Sequence, residues 1–274
     1  LPGSAGRPAG RRHRDALIFR TRTSHAERAA PTNVVPGGAF SLSDSGTRMH
    51  DQEKPFDRAE MAEHTVKLMR DGGGLNAVVT LVEKDGVRWT VKDFSTRGWF
   101  SRTIVGPLLL RREAAVLARL KGIDGIAGEA FFVDRQALAI RFLEGSGLVR
   151  KKGVNRSPVD LAYMERLEAL VDEMHARGVA HLDLRGTGNF IIRPDGTPGL
   201  IDFQSAVITR YFPGWLRRML EHIDDSGVLK KWNQFLPEQM GEARRAALQR
   251  FEEGRMRYFG WYMKLRRKKY RRGR

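Results

Sequence analysis

The run HLDLRGTGNFII, His181 to Ile192, followed by LIDFQ, Leu200 to Gln204, decides how the rest of this 274-residue chain is read. An acid, Asp183, and an amide, Asn189, share a glycine-containing polar loop, and a second acid, Asp202, ends a short apolar segment. One carboxylate in such a loop can orient or deprotonate an attacking hydroxyl. The amide and the second carboxylate are hard oxygen donors of the kind that hold Mg²⁺ on phosphates, so the set suits phosphoryl transfer. Taken singly, Asp183 reads as a turn cap, Asn189 as a partner for loop backbone and Asp202 as the end of a strand. Their order, with apolar segments between them, favours a common site.

Upstream, the segment WTVKDF alternates with period two, which puts Thr90 and Lys92 on one strand face and Trp89 and Val91 on the other. Glu113 lies on a helical stretch between Leu110 at i−3 and Leu117 at i+4, so it is expected to point inward. An inward carboxylate needs a partner, and Lys92 is the natural one. Pairing of Glu113 with a helix Arg is the alternative. Gly72-Gly73-Gly74 opens GGGLNAVV, where backbone amides can approach phosphates closely, or which serves as a flexible hairpin turn.

These segments resemble the protein-kinase-like superfamily, whose catalytic loop reads H-R-D-x-x-x-x-N, whose metal motif reads D-F-G and whose third strand carries V-A-I-K. The resemblance implies an α+β, two-lobed protein-kinase-like fold, with a small antiparallel-sheet N-lobe carrying one helix and a mainly helical C-lobe. ATP and Mg²⁺ would lie between the lobes. Asp183 would be the catalytic base, Lys92 would hold the nucleotide phosphates and Glu113 would orient Lys92. Asn189 and Asp202 would be the metal ligands, and Gly72 and Gly74 would line the phosphates. The Phe142-Leu143-Glu144-Gly145 segment resembles the interlobe hinge, which brings Glu144 to the adenine through its backbone. Two departures stand out: five residues, not four, separate Asp183 from Asn189, and Gln204 replaces the Gly of D-F-G.

The brief C-terminal part and the lack of an A-P-E motif make the chain similar to bacterial lipopolysaccharide (Kdo-type) kinases and RIO-like atypical kinases. The implied acceptor is a sugar or lipid-linked hydroxyl, with a RIO-like Ser/Thr protein kinase as one alternative and a pseudokinase scaffold as another. The expected organisation is a disordered extension over 1–60, an N-lobe over 61–145, a C-lobe over 146–254 and a basic aromatic tail over 255–274. Strands are expected over Thr65–Arg70, Ala77–Lys84, Val87–Phe94, Ala130–Asp134 and Ala137–Leu143, and helices from Pro107 to Leu120, from Pro158 to Gly178 and beyond Tyr211.

Composition narrows the classes further. There is no cysteine, which excludes disulfides, thiolate metal sites and cysteine nucleophiles. The seven histidines show no metal-binding spacing, and His181 reads as structural. No apolar run approaches 18 residues and no secretory signal core opens the chain, which favours a cytoplasmic protein, peripheral at the inner face of the cytoplasmic membrane as a further expectation. The net charge of +17 is concentrated at the C-terminus, where Arg255 to Arg274 contain ten Lys or Arg and no acid. That run reads as a contact for an anionic membrane surface, less so for nucleic acid, or as a solvated tail. Trp215 and Trp232 are expected in the core, and Arg217, Arg218, Lys230 and Lys231 in an acceptor groove or on solvated helix faces.

Overall fold

The structure, a computed structural model, describes residues 54–254 apart from 74, 75, 152, 153 and 156. The expectations for 1–53, for Gly74 and for the tail at 255–274 lie outside the described residues. Five strands form one antiparallel sheet in the order β1-β2-β3-β5-β4: β1 Thr65–Arg70, β2 Val78–Lys84, β3 Val87–Asp93, β4 Ala130–Asp134 and β5 Ala137–Arg141. Asp85 and Gly86 join β2 to β3 with φ of 52° and 72°. Positive φ at both central positions gives the turn a twist that matches paired strands.

The strand alternation sorts side chains as expected. Lys92 pairs in register with Val79 and Leu138, and Thr90 with Ile140, so these residues share the inner face. Trp89, Val91 and Ala139 face outward, where they join Val82, Val133 and Ala137 in a second, smaller core. Phe56 covers that outer face, its ring edge-on to Phe131 at 4.9 Å and to Trp89 at 6.3 Å between centroids. Arg58, in the short helix α1 (Arg58–Glu63), forks between Asp93 and Asp134 and donates to Ser95. The boundary expected at residue 60 is therefore too late. Residues 54–63 lack a long apolar period, but one buried ring and one guanidinium suffice to fix them on the sheet.

The helix expected from Pro107 also starts earlier. Helical backbone begins at Trp99, passes through a π turn at Ser101–Val105 and continues as α2, Gly106–Leu120. Pro107 has no N–H to give an i−4 carbonyl, and the wider π turn immediately before it lets the backbone change register there. Gly106 permits the approach to the sheet, because a Cβ there would lie 2.5 Å from the Phe94 ring.

Beyond β5 come three two-residue strands, β6 (Ser146–Gly147), β7 (Arg150–Lys151) and β8 (Val154–Asn155), then helix α3, Leu161–Ala176. Next are β9 (Val179–Ala180), β10 (Phe190–Ile192), β11 (Pro198–Leu200) and β12 (Val207–Ile208). Helix α4 spans Gly214–Phe235, and 241–254 is again helical. One hydrophobic core runs from the inner face of the sheet (Leu138, Ile140) through α2 to α3 and α4 (Met164, Leu167, Val228, Trp232). Trp232 is fully buried as expected, whereas Trp215 is 65% exposed, because the first buried residue of α4 is Asp224, well along the helix.

Replacing Phe56 by Ala is expected to cost about 3–5 kcal/mol, the usual range for emptying a buried aromatic site. Tm should fall on the order of 10 °C for a domain of this size, measured by scanning calorimetry. A loss below about 2 °C would mean that Phe56 does not hold the segment on the sheet.

Candidate active site

The Lys92 ammonium lies 2.6 Å from Glu113 Oε1 and 2.6 Å from Asp202 Oδ1. Strand β3 supplies the lysine and α2 the glutamate, and the turn after β11 supplies the aspartate, so three separate elements meet at one cation. Lys92 and Glu113 are 5% and 1% exposed. Burial works against the Lys92 charge, but Glu113 and Asp202 outweigh it and hold the ammonium above its ordinary pKa. Burial likewise opposes the Asp202 carboxylate, and Lys92 overcomes it, keeping Asp202 below the usual carboxylate range.

Asn189 donates from Nδ2 to the Asp183 carbonyl and to Asp183 Oδ2, both at 2.9 Å. The additional residue between the two is thus absorbed in the turns over 185–188 without separating the pair. Asp183 itself is exposed. His181 is fully buried, donates from Nε2 to the Ile201 carbonyl at 3.1 Å, and is held below its ordinary pKa by burial, as suits a structural residue.

A cavity of about 410 Å³ adjoins these groups, with Val79, Leu117, Ile140 and Leu200 among its apolar lining and Thr90, Lys92, Asn189 and Asp202 among its polar lining. That size and mixture suit a small organic ligand with an anionic end. Phe142 and Leu143 form its edge, but Glu144 does not line it. The Glu144 side chain is exposed and faces Arg88 at 3.6 Å, so it adds nothing to the cavity wall, while the expected role of this segment is one of its backbone. Gly72 is also absent from the lining. Its φ is +65° and a Cβ there would sit 2.1 Å from the Ala77 carbonyl oxygen, so the residue serves the turn that closes β1 on β2. Arg70, at the end of β1, lines the cavity instead and reaches within 3.7 Å of Asp202 Oδ2.

Among the described residues no group of three or more His, Asp or Glu is placed to hold a metal alone. What is present fits a cation delivered with phosphates. Asn189 has spent its N–H on Asp183, which leaves its carbonyl oxygen, and Asp202 has a second oxygen beyond the one on Lys92. An amide oxygen and a carboxylate oxygen are donors that Mg²⁺ accepts, with phosphate and water completing the shell.

The largest omission from the sequence reading is Asp224, fully buried on α4. Its Oδ2 accepts from the His181 amide at 2.6 Å and its Oδ1 from the Leu182 amide at 2.7 Å, while His175 Nε2 lies 3.2 Å from Oδ2. Leu182 has φ of +66°, a conformation that costs roughly 1–3 kcal/mol for such a residue, and these charge-assisted bonds hold it there. Close by, α4 presents Gly227 to the loop, where a Cβ would meet the Leu184 backbone at 2.6 Å. No local periodicity could announce Asp224, since it looks like any acid on a helix until the chain closes.

Lys231 also departs from expectation. It is fully buried, not in a groove, and donates to the Arg185 carbonyl at 2.9 Å beneath the Phe190 ring. Lys230 donates to the same carbonyl at 3.1 Å. Arg217 and Arg218 are exposed on the first turns of α4.

No family model and no curated protein matches this sequence. Among solved structures the chain is similar to the Rio2 kinase of Chaetomium thermophilum in its ADP/Mg²⁺–phosphoaspartate complex, with 16% identity over 70% of this chain and 63% of that one and a TM-score of 0.49. A second structure of Rio2 kinase from the same organism gives 17% identity, 70% and 65% coverage and a TM-score of 0.49. The chain spans less than two thirds of the length of these structures. Its own topology places it in fold class. An antiparallel five-stranded sheet has one helix inserted between its third and fourth strands, the third strand's lysine meets that helix's glutamate, and a mainly helical part follows. This is an α+β fold, with the arrangement that the resemblance of the sequence implied.

Burial, with repulsion from Lys230 and Arg185, pushes the Lys231 pKa down to about 7 from 10.5. Between those values the unfolded chain holds a proton that the folded protein sheds, so this residue makes stability rise with pH across that window. In Lys231→Met that rise should be missing, and the variant should gain most over the wild type below about pH 7. Melting temperatures from pH 6 to 10 measure the difference; parallel curves would contradict a shifted lysine.

Proposed function

We propose that this chain is an ATP-dependent phosphotransferase acting on an acceptor hydroxyl, in the manner of compact lipopolysaccharide (Kdo-type) and RIO-like kinases. The observation that carries the reading is the Lys92 ammonium, buried between Glu113 and Asp202 on the wall of a cavity of nucleotide size. Lys92 binds phosphate oxygens, and Glu113 keeps its ammonium charged and aimed. Arg70 adds a second cation at the same end of the cavity. Asn189 and Asp202 would hold Mg²⁺, which when bound would supply charge neutralisation at the phosphates.

Asp183, exposed and bonded to the cavity-lining Asn189, is placed to orient the acceptor. Its carboxylate takes the hydroxyl proton as the acceptor oxygen bonds to the γ-phosphorus and the bond from that phosphorus to the departing diphosphate breaks. Little covalent work is asked of the protein, so positioning and charge neutralisation supply most of the rate.

A sugar or lipid-linked acceptor is favoured over a protein Ser or Thr. Only residues 203–213 join Asp202 to α4, and within them Val207–Ile208 are already paired with Val179–Ala180. That leaves little chain to cradle an extended peptide. The scaffold alternative draws on Gln204 and the longer catalytic loop, but the loop still brings Asn189 onto Asp183.

Asp202→Ala should abolish Mg²⁺-dependent nucleotide binding in calorimetry. Asp183→Asn should leave that binding nearly intact while transfer of labelled phosphate falls by roughly 10²–10⁴-fold, the usual contribution of a positioned base. Equal loss of nucleotide affinity in both variants would contradict the division of roles.

A further inference from the structure

The helix that runs from Trp99 through the π turn into α2 shows water a row of large apolar side chains. Trp99 is 66% exposed, Phe100 55%, Ile104 40% and Leu108 60%. Phe100, Ile104 and Leu108 are spaced four apart, so they form one stripe along the outer side of the same helix whose inner side carries Glu113. Side chains this large, exposed in succession, are a marker of an interaction surface.

Charge limits the choice of occupant. From Phe94 to Arg112 the sequence has no acid and four arginines. Two of these are turned to other work: Arg112 donates to the Ser205 and Ala206 carbonyls at 2.7 Å, and Arg97 meets Asp71. Arg111, three residues past Leu108, remains exposed beside the stripe, whereas Arg102, also exposed, is two residues from Phe100 and from Ile104 and lies toward another side of the helix. The chain's own segment at 255–274 carries basic residues and no acid, and 1–53 has more basic than acidic residues, so neither complements this rim. A second copy would bring the same positive rim. The stripe is a ridge on a helix and not a groove, which suits a broad soft surface that protruding side chains can enter. Aromatics beside arginine, on a helix with one apolar side, are the composition that lies at a lipid headgroup boundary.

We propose that this stripe docks the protein on an anionic lipid bilayer. Trp99 and Phe100 sit at the headgroup level, Ile104 and Leu108 enter the acyl edge, and Arg111 meets lipid phosphates. No helix among the described residues is long and apolar enough to cross a membrane, so the contact is peripheral. The inference does not depend on phosphoryl transfer, although a docked protein would be delivered to lipid-linked acceptors.

The test uses the full chain with vesicles of phosphatidylglycerol and phosphatidylcholine, with and without brominated acyl chains. Trp99 is one of five tryptophans, and its insertion should let the bromines quench part of the fluorescence. That part should vanish in Trp99→Phe, a change too mild to unfold the protein. In Phe100→Asp and Leu108→Asp combined, with Tm unchanged, vesicle partition should fall by about tenfold or more. Neutralising the basic residues from Arg266 to Arg274 should leave the Trp99-dependent quenching in place. The proposal is overturned if the protein does not bind these vesicles, or if binding persists with quenching indifferent to Trp99→Phe. It is also overturned if duplex RNA at matched charge strips the protein from vesicles while vesicles do not strip it from RNA, which would assign the stripe to nucleic acid.

Discussion

A single buried ammonium organises this protein. Lys92 is nearly out of water, and a charge there is tolerable only if anions replace the lost hydration. Glu113 and Asp202 do so from two different elements, each at 2.6 Å. Removing either carboxylate leaves the cation under-compensated, and removing Lys92 leaves Glu113 buried without its counterion. The sheet, α2 and the turn at Asp202 are thereby tied to one arrangement, and that arrangement forms the polar wall of the cavity. The same charge that constrains the fold faces the cavity, because the Asp202 side of the pair, 27% exposed, opens to it.

The second constraint is applied from below. Asp224 collects two consecutive backbone amides and so holds Leu182 in a left-handed conformation immediately before Asp183. Gly227 lets the helix approach Leu184 without a side chain between them, while Lys230 and Lys231 grip the Arg185 carbonyl from the next turn. The loop carrying Asp183 and Asn189 is therefore moulded to α4 and not free to follow the substrate. A strained conformation at such a place is offset by the surrounding bonds and fixes the position of the exposed Asp183 carboxylate.

On the far side of the sheet a different logic applies. Phe56 shields Trp89 and Phe131, and Arg58 neutralises Asp93 and Asp134, so a few residues before the first strand close a face that would otherwise be wet. The helix from Trp99 to Leu120 divides its duties: Leu110, Glu113 and Leu117 serve the interior, while Phe100, Ile104 and Leu108 remain outside. One element thus carries both a residue of the candidate site and the candidate docking stripe.

Much of this was legible in the sequence. Period-two alternation put Lys92 opposite Trp89, and the flanking leucines turned Glu113 inward; both are local rules that need no knowledge of the rest of the chain. The order of Asp183, Asn189 and Asp202 marked a polar loop between short strands for the same reason. Asp224 was silent because its partners lie more than 40 residues away, and an acid on a helix says nothing about which amides will face it. Phe56 and Arg58 were silent because burial by one ring leaves no period, and Trp215 and Lys231 misled because composition cannot tell which turn of a long helix enters the core. Periodicity is a property of neighbouring residues and can be read along the chain. The choice of partner for a buried charge is made only when distant segments close on one another, and the tertiary structure alone decided it.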